Sequence, residues 1–317
     1  MVAKKTTSGR SRKPTAEPDL SAIKIIPQSG KFESASQKTD SPKGVEYEER
    51  VVAFVDLLGF KEAIQRSAHK NESGRELLRR IHAALDIRID GYAQAFAPMV
   101  DLQMSPSDFD ERFHSFSDFI VMSVKRDICA IGLLIYAVFK ICRELLSQGF
   151  ASRGGIAMGD LYHRQRDPED SSAPPMVFGP AFVAAYQFES AHADSPRVIM
   201  QNSVWQHIEK KCREMPASRL SSFLRTHVQR AEDGPAYVDI FADFGVNDFY
   251  KSRADLTTEQ QAIHRHICAA LDETADRPHQ FKKNAQLARE FNQALEGAEL
   301  HEHIIPRTKL PKRGNPH

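Results

Sequence analysis

Two aspartates stand out by position. Asp56 ends the apolar, β-branched run Val51-Val52-Ala53-Phe54-Val55, which reads as a strand buried on both faces, where an unpartnered carboxylate is costly. Asp118 follows Ser117 in the turn between two short predicted strands, 112–116 and 119–123, expected to lie beside the first. Carboxylates converging from neighbouring strand ends make a hard-oxygen site suited to Mg2+ or Mn2+. Directly after Asp56, Gly59-Phe60 turns the chain into a helix, and the free amides of such an N-terminus suit a triphosphate. Each aspartate also has a plain structural use, as a helix cap or as a turn residue. Only the pair argues for chemistry.

The elements that hold these residues follow from hydrophobic periodicity. A helix begins at Phe60, and a second is predicted over 75–96, with Leu77, Leu78, Ile81, Leu85 and Ile89 at helical spacing. The strongest pattern is 127–148, with Asp127 as N-cap and Gly149 just past the end. Residues 152–162 read as a glycine-rich strand that approaches another backbone closely. A polar loop over 164–175, a short extended stretch at 176–180, a helix over 181–191 and a strand at 197–200 follow. The order β-α-α-β-β-α-β-(β)-α-β predicts an α+β sheet with crossover helices within residues 47–205. Helical patterns at 202–213, 217–229, 257–272 and 280–297 are expected to decorate the same core, as an elaboration over 206–305.

The 317 residues carry 43 Lys+Arg against 42 Asp+Glu, a formal charge of +1, with 41% apolar residues, ordinary for a globular chain. That balance hides an asymmetry: the first 45 residues carry +5 and the rest −4. Residues 1–46, rich in Ser, Thr and Pro with Phe32 as their one ring before Tyr47, are expected to form a disordered basic tail. Residues 306–317 are expected to fray. A mildly acidic body argues against nucleic acid as a partner. The apolar run 128–141 is too short to cross a membrane and contains Lys140, so no membrane insertion is expected. With no apolar leader after the basic start and four cysteines without paired spacing, the reading is cytoplasmic. His264-Arg265-His266 and His301-Glu302-His303 lack metal-site spacing and are expected on the surface.

Four motifs in order resemble the class III nucleotidyl cyclase family over residues 50–205. They are Phe54-Val55-Asp56-Leu57-Leu58-Gly59-Phe60, then Phe116-Ser117-Asp118-Phe119, then Arg153-Gly154-Gly155-Ile156-Ala157-Met158-Gly159. The fourth runs from Gly179 through Phe188-Glu189-Ser190 to Pro196-Arg197-Val198-Ile199-Met200. The purine cyclases' base-reading Lys falls at His114 and their Asp or Thr at Met176. The transition-state Asn and Arg fall near Val183 and Gln187. The wording is more similar to the pyrimidine cyclases of Pycsar antiphage systems.

The resemblance implies the family's ferredoxin-like α+β catalytic fold, with extra C-terminal helices. It implies conversion of UTP, or less readily CTP, to a 3′,5′-cyclic mononucleotide and pyrophosphate. Asp56 and Asp118 then hold two Mg2+ or Mn2+ ions, with the Leu57 backbone carbonyl on one of them. Phe54 and Arg112 are candidates for the base, and Gly59 and Phe60 for the phosphates. His114, Lys61 and Arg153 are further candidates beside ordinary structural roles. The implied assembly is a homodimer with interfacial sites, its product read by a membrane-disrupting or TIR-type effector. A conventional adenylate or guanylate cyclase, or an inactive cyclase-like nucleotide-sensing module, are the alternatives.

Overall fold

A computed structural model describes residues 45–310, apart from 70, 88, 90, 103–104, 166–173, 194, 231–233 and 245–252. The tail predicted to be disordered lies outside the described residues except for 45 and 46, as does most of the loop predicted at 164–175. The first strand, β1 (Glu48–Leu57), is the axis of the fold. It pairs antiparallel with β3 (Phe119–Lys125) on one side and with β4 (Ser152–Arg164) on the other. Between them come α1 (Phe60–Ser67), α2 (Glu72–Leu85), α3 (Tyr92–Met99), β2 (Arg112–Ser115) and α4 (Ile128–Ser147). Then follow β5 (Met176–Phe178), α5 (Pro180–His192), β6 (Val198–Met200), α6 (Asn202–Glu214), α7 (Arg219–His227), β7 (Val228–Arg230) and β8 (Ala236–Val238). Helices α8 (Arg253–Glu273) and α9 (Pro278–Gly297) close the chain.

Among the described residues these strands form one sheet, ordered β2-β3-β1-β4-β6-β8-β7, with β5 attached to β4. Its one parallel pairing, β4 with β6, is bridged by α5, so the fold is mixed α+β. The continuous apolar run of β1 is explained by its position, with strands on both edges and packing on both faces. Helix α4 is apolar around most of its girth because it lies inside the large core. Asp127 caps it, accepting from the amides of Cys129 and Ala130 at 3.0 and 2.9 Å, and Gly149 ends it at φ +86°.

Two expectations are corrected. The single helix predicted over 75–96 is two, because Gly91 turns at φ +89° ahead of α3. The helix predicted over 217–229 stops at His227. Val228 then enters a three-residue strand paired with β8, so the sheet continues past residue 205. Strands that short carry no readable periodicity. Of the stretch expected to fray after 306, residues to 310 are described. Arg307–Lys309 form a 3₁₀ turn, with the Lys309 Nζ on Asp272 at 2.6 Å.

Helices α8 and α9 pack on the same large core as α4, through Ile263, Ile267, Leu271 and Phe291. A buried ion pair, Arg143 with Glu259 at 3.0 Å, ties α4 to α8.

Candidate functional site

Register decides which side chains meet. Asp56 stands opposite Phe119 on β3 and opposite Arg153 on β4. The next amide along, Leu57 N–H, donates to the Asp118 carbonyl at 2.8 Å and pins the β2–β3 turn against the end of β1. That turn is closed by Phe116 N–H donating to the Phe119 carbonyl at 2.8 Å. Asp118 lies exposed at its tip, its carboxylate accepting from Ser117 Oγ at 3.0 Å. The two aspartates therefore share one end of the sheet, at the strand ends where the sequence puts them.

A third carboxylate joins them. Glu189 on α5 is buried, with Arg153 between it and Asp56: the guanidinium Nε contacts Glu189 Oε1 and lies 3.5 Å from Asp56 Oδ2. The other Glu189 oxygen accepts from Ser190 Oγ at 2.9 Å. Helix α5 comes this close because β4 offers it a glycine. A Cβ on Gly155 would stand 2.1 Å from the Ala185 carbonyl oxygen. Burial pushes the Asp56 carboxyl pKa up; Arg153 opposes the shift, while Glu189 and Asp118 reinforce it. Three carboxylates against one cation leave this sheet end electronegative.

Glu189 was the residue to find. It continues the buried Ala181-Ala185 spacing of α5 by one more turn, and a Glu on a buried helical stripe needs a charged partner.

Phe54 lies two residues back along β1 on the Asp56 face and is buried. Its ring meets Phe119 at 5.3 Å, Tyr186 at 5.4 Å and Phe182 at 6.1 Å. Gly59 adopts φ +73° to start α1, with Phe60 buried in the large core behind it. Lys61 is exposed on the first turn of α1 and has no ion pair among the described residues.

Arg112 stands apart from the acidic pair, and His114, level with Phe54, stacks on Phe116 and joins a polar chain of its own. Arg112 pairs with Ser123, which faces Val52, four residues or roughly 13 Å along β1 from Asp56. Its guanidinium is held by Glu48 at 2.9 Å and Asp110 at 3.2 Å. His114 Nδ1 lies 3.2 Å from His163 Nε2, whose Nδ1 is 2.8 Å from Ser123 Oγ; that hydroxyl accepts from Arg50 Nε at 3.0 Å. Arg50 is fully buried and is anchored on Asp110 and Glu48 at 2.8 Å each. Burial, reinforced by His114 and the two arginines, presses the His163 pKa down to about 3, so the ring is neutral at physiological pH.

Met176, Val183 and Gln187, the positions aligned with purine-reading and transition-state residues, are all exposed. The His264 and His266 segment, expected on the surface, is half-buried in α8 at both histidines. Among the described residues no group of three or more His, Cys, Asp or Glu is arranged to hold a metal ion. No described helix is long and apolar enough to cross a membrane.

No protein-family model matches the chain, and no curated protein does. Among solved structures, a class III adenylyl cyclase-like ATP-binding protein from Pseudomonas aeruginosa is similar over 80% of this chain and 70% of its own, at 11% identity and a TM-score of 0.33. Likeness at that level does not establish a shared fold.

Proposed function

We propose that the chain is a nucleotidyl cyclase of class III type acting on a pyrimidine nucleoside triphosphate, UTP before CTP. The observation that carries this reading is the convergence of Asp56 and Asp118 at one sheet end, joined through the Leu57 amide and the Asp118 carbonyl at 2.8 Å, next to the start of α1. The donor chemistry fits Mg2+ or Mn2+: such ions use one or two carboxylates and complete their shell with water and substrate phosphates, so no third protein ligand is required. Asp56 and Asp118 would hold the ions, with the Leu57 carbonyl as a further oxygen. Bound ions supply charge neutralisation on the triphosphate and acidify the ribose 3′-hydroxyl.

The chain's own part is electrostatic. Arg153 has two carboxylates within reach, so Glu189 can keep its charge paired when Asp56 turns to a cation. The amides at Gly59 and Phe60, where α1 starts, would receive the phosphates, with Lys61 beside them. Phe54 supports the site from within its aromatic cluster. Arg112 and His114 lie on the same face, in register with Val52 and Phe54, four and two residues along β1 from Asp56.

A homodimer is supported by the large apolar side chains left exposed around α5. Tyr186 is 51% and Val183 47% exposed, with Phe178 and Met176 on β5 and Phe116 in the hairpin also uncovered. The cytoplasmic setting, the downstream membrane or TIR-type effector and the role in antiphage defence rest on the motif resemblance alone.

One observation favours a second reading, a nucleotide-sensing module without turnover: Asp56 already has Arg153 as a counter-ion.

The test is incubation of the full chain with each of the four nucleoside triphosphates and Mn2+, resolving products by chromatography. Cyclic UMP is expected from UTP, with less cyclic CMP from CTP. Absence of any cyclic product overturns the enzyme reading, and nucleotide binding without turnover then supports the second one. Wild-type rates from Asp118→Ala would overturn the site.

A further inference from the structure

Beyond the β1–α1 turn, a cleft of about 690 Å³ opens between α1, α2, the end of α4 and helices α8 and α9. Its volume is that of a small-ligand site. Leu58 and Gly59 form part of its wall. The cleft backs onto the large core through Ala63 and Phe150, whereas Asp56 shares its face with Val52 and Phe54. The two sites therefore share a turn and face different layers.

Four cations line the cleft, Arg66, Arg80, Arg277 and Lys283, against two carboxylates, Glu62 and Glu273. The carboxylates do not neutralise it. Arg66 and Glu273 approach to 3.5 Å across the mouth, but both are more than half exposed, and such pairs contribute little. Arg80 is half-buried. Its Nε donates to the Gln148 carbonyl at 2.7 Å and its guanidinium lies 5.6 Å from the Phe150 ring centre. The two terminal nitrogens of Arg80 make no hydrogen bond or close ion pair among the described residues, and burial draws its pKa below the usual arginine value, with Glu76 and Glu273 opposing the shift.

Lys283 is also half-buried, with no ion pair or hydrogen bond among the described residues. His266 also lines the cleft, beside Arg80. Burial first, then Arg80, lowers its pKa to about 4, so it offers a neutral ring. Glu76 and Glu273 offset part of the charge on Arg80, but the cations lining the cleft still outnumber its carboxylates, and a half-buried excess of positive charge in a concave site is best satisfied by an anion. Their spread over several helices suits an anion with many oxygens better than a single carboxylate, and the arginine fork matches phosphate.

We propose that this cleft binds a small phosphorylated anion of at least two negative charges, through Arg80 and Lys283 with Arg277 and Arg66 nearer the mouth, independently of Asp56 and Asp118. The proposal does not depend on the cyclase reading.

The test is calorimetric titration of the full chain with inorganic tripolyphosphate. It is run in the Asp56→Asn background with EDTA, at about 0.15 M salt so that only close charges act. Saturable one-to-one binding is expected. Arg80→Gln and Lys283→Gln should each weaken it by ~10-fold or more. Lys283→Arg should keep it, and Lys210→Gln, an exposed charge on α6 removed outside the cleft, should leave it unchanged. Thermal melts of each variant check that the fold is intact. Absence of saturable binding at millimolar tripolyphosphate overturns the proposal. So does wild-type affinity in Lys283→Gln, or an equal loss in Lys210→Gln.

Discussion

On one face of the central sheet, Val51, Ala53, Val55 and Leu57 disappear beneath helices and join a core that runs from α1 to α9. On the other, Val52 and Phe54 meet α5 and a small apolar cluster, and the rest of that face is ionic. Alternate residues of one strand thus serve two economies. The large core holds the fold by burying area, at roughly 25 cal/mol per Å2. The thin face carries charges whose burial is unfavourable unless each finds a partner, and it leaves Tyr186 and Val183 in water. Stability and chemistry are therefore separable by face, and substitutions should sort accordingly.

The largest effect is expected in the thick core. Phe96 is fully buried, its ring edge-on or tilted against Phe109, Tyr136 and Phe223 at 5.4–6.2 Å. Phe96→Ala should lower unfolding free energy by about 3–5 kcal/mol in urea titration. A loss under about 1 kcal/mol would dissolve the contrast between faces.

Next comes the acidic pair, with the signs reversed. Asp118 is exposed, and among the described residues its side chain is held by Ser117. Asp118→Asn should reduce cyclisation by about 10²–10³-fold, the usual cost of removing one electrostatic contact to a transition state. Unfolding should shift by no more than about 0.5 kcal/mol. Retained activity, or a large loss of stability, would make Asp118 a turn residue.

The exposed edge of the thin face is tested through association. Tyr186→Glu places a charge in the centre of the apolar patch and should weaken a homodimer by roughly 2 kcal/mol, about 30-fold in dissociation constant, by sedimentation equilibrium. The melting temperature of the dilute chain should hardly move. An unchanged assembly state would mean that α5 faces solvent.

Between the two ends of the thin face lies the Arg50-Ser123-His163-His114 chain. His163 has its folded pKa depressed to about 3, against an ordinary value near 6.5 in the unfolded chain. Its contribution is fully present above that ordinary value and is lost as pH falls toward the folded one. The slope should reach at most about 1.4 kcal/mol per pH unit, and His163→Gln should flatten it.

Much of this division is readable in the sequence, and the exceptions have physical causes. The uninterrupted apolar run before Asp56 marks β1 because a strand covered on both faces has no polar alternation to show. Asp127 and Gly149 mark the ends of α4 because caps are local. The ionic roles of Arg50 and Glu189 are not legible in the sequence because a buried charge is explained by partners distant in sequence: Ser123 lies 73 residues from Arg50, and Arg153 belongs to another element than Glu189. Arg112 precedes Asp118 by only six residues, and the hairpin then carries it along the sheet, away from the acidic end. The sequence neighbours of an active residue are spatial neighbours only as far as strand register allows.

Asp56 yields the smallest effect on stability and the most discriminating sign. Its carboxyl pKa is raised, chiefly by burial, so the folded chain prefers the protonated form. A raised carboxylate pKa means that stability is greatest at low pH and is lost as pH rises from the ordinary carboxylate range through the raised value. Asp56→Asn supplies a neutral group of the same shape, and Arg153 keeps Glu189 as its partner. At neutral pH the substitution should therefore raise unfolding free energy, by ~0.5 kcal/mol, while abolishing cyclisation. At pH 4 the gain should shrink, because the wild-type carboxyl has begun to take up its proton. Urea titrations of both proteins at the two pH values decide the matter. Destabilisation at neutral pH would show that the contact with Arg153 outweighs burial, and Asp56 would then belong to the structural ionic network of this face.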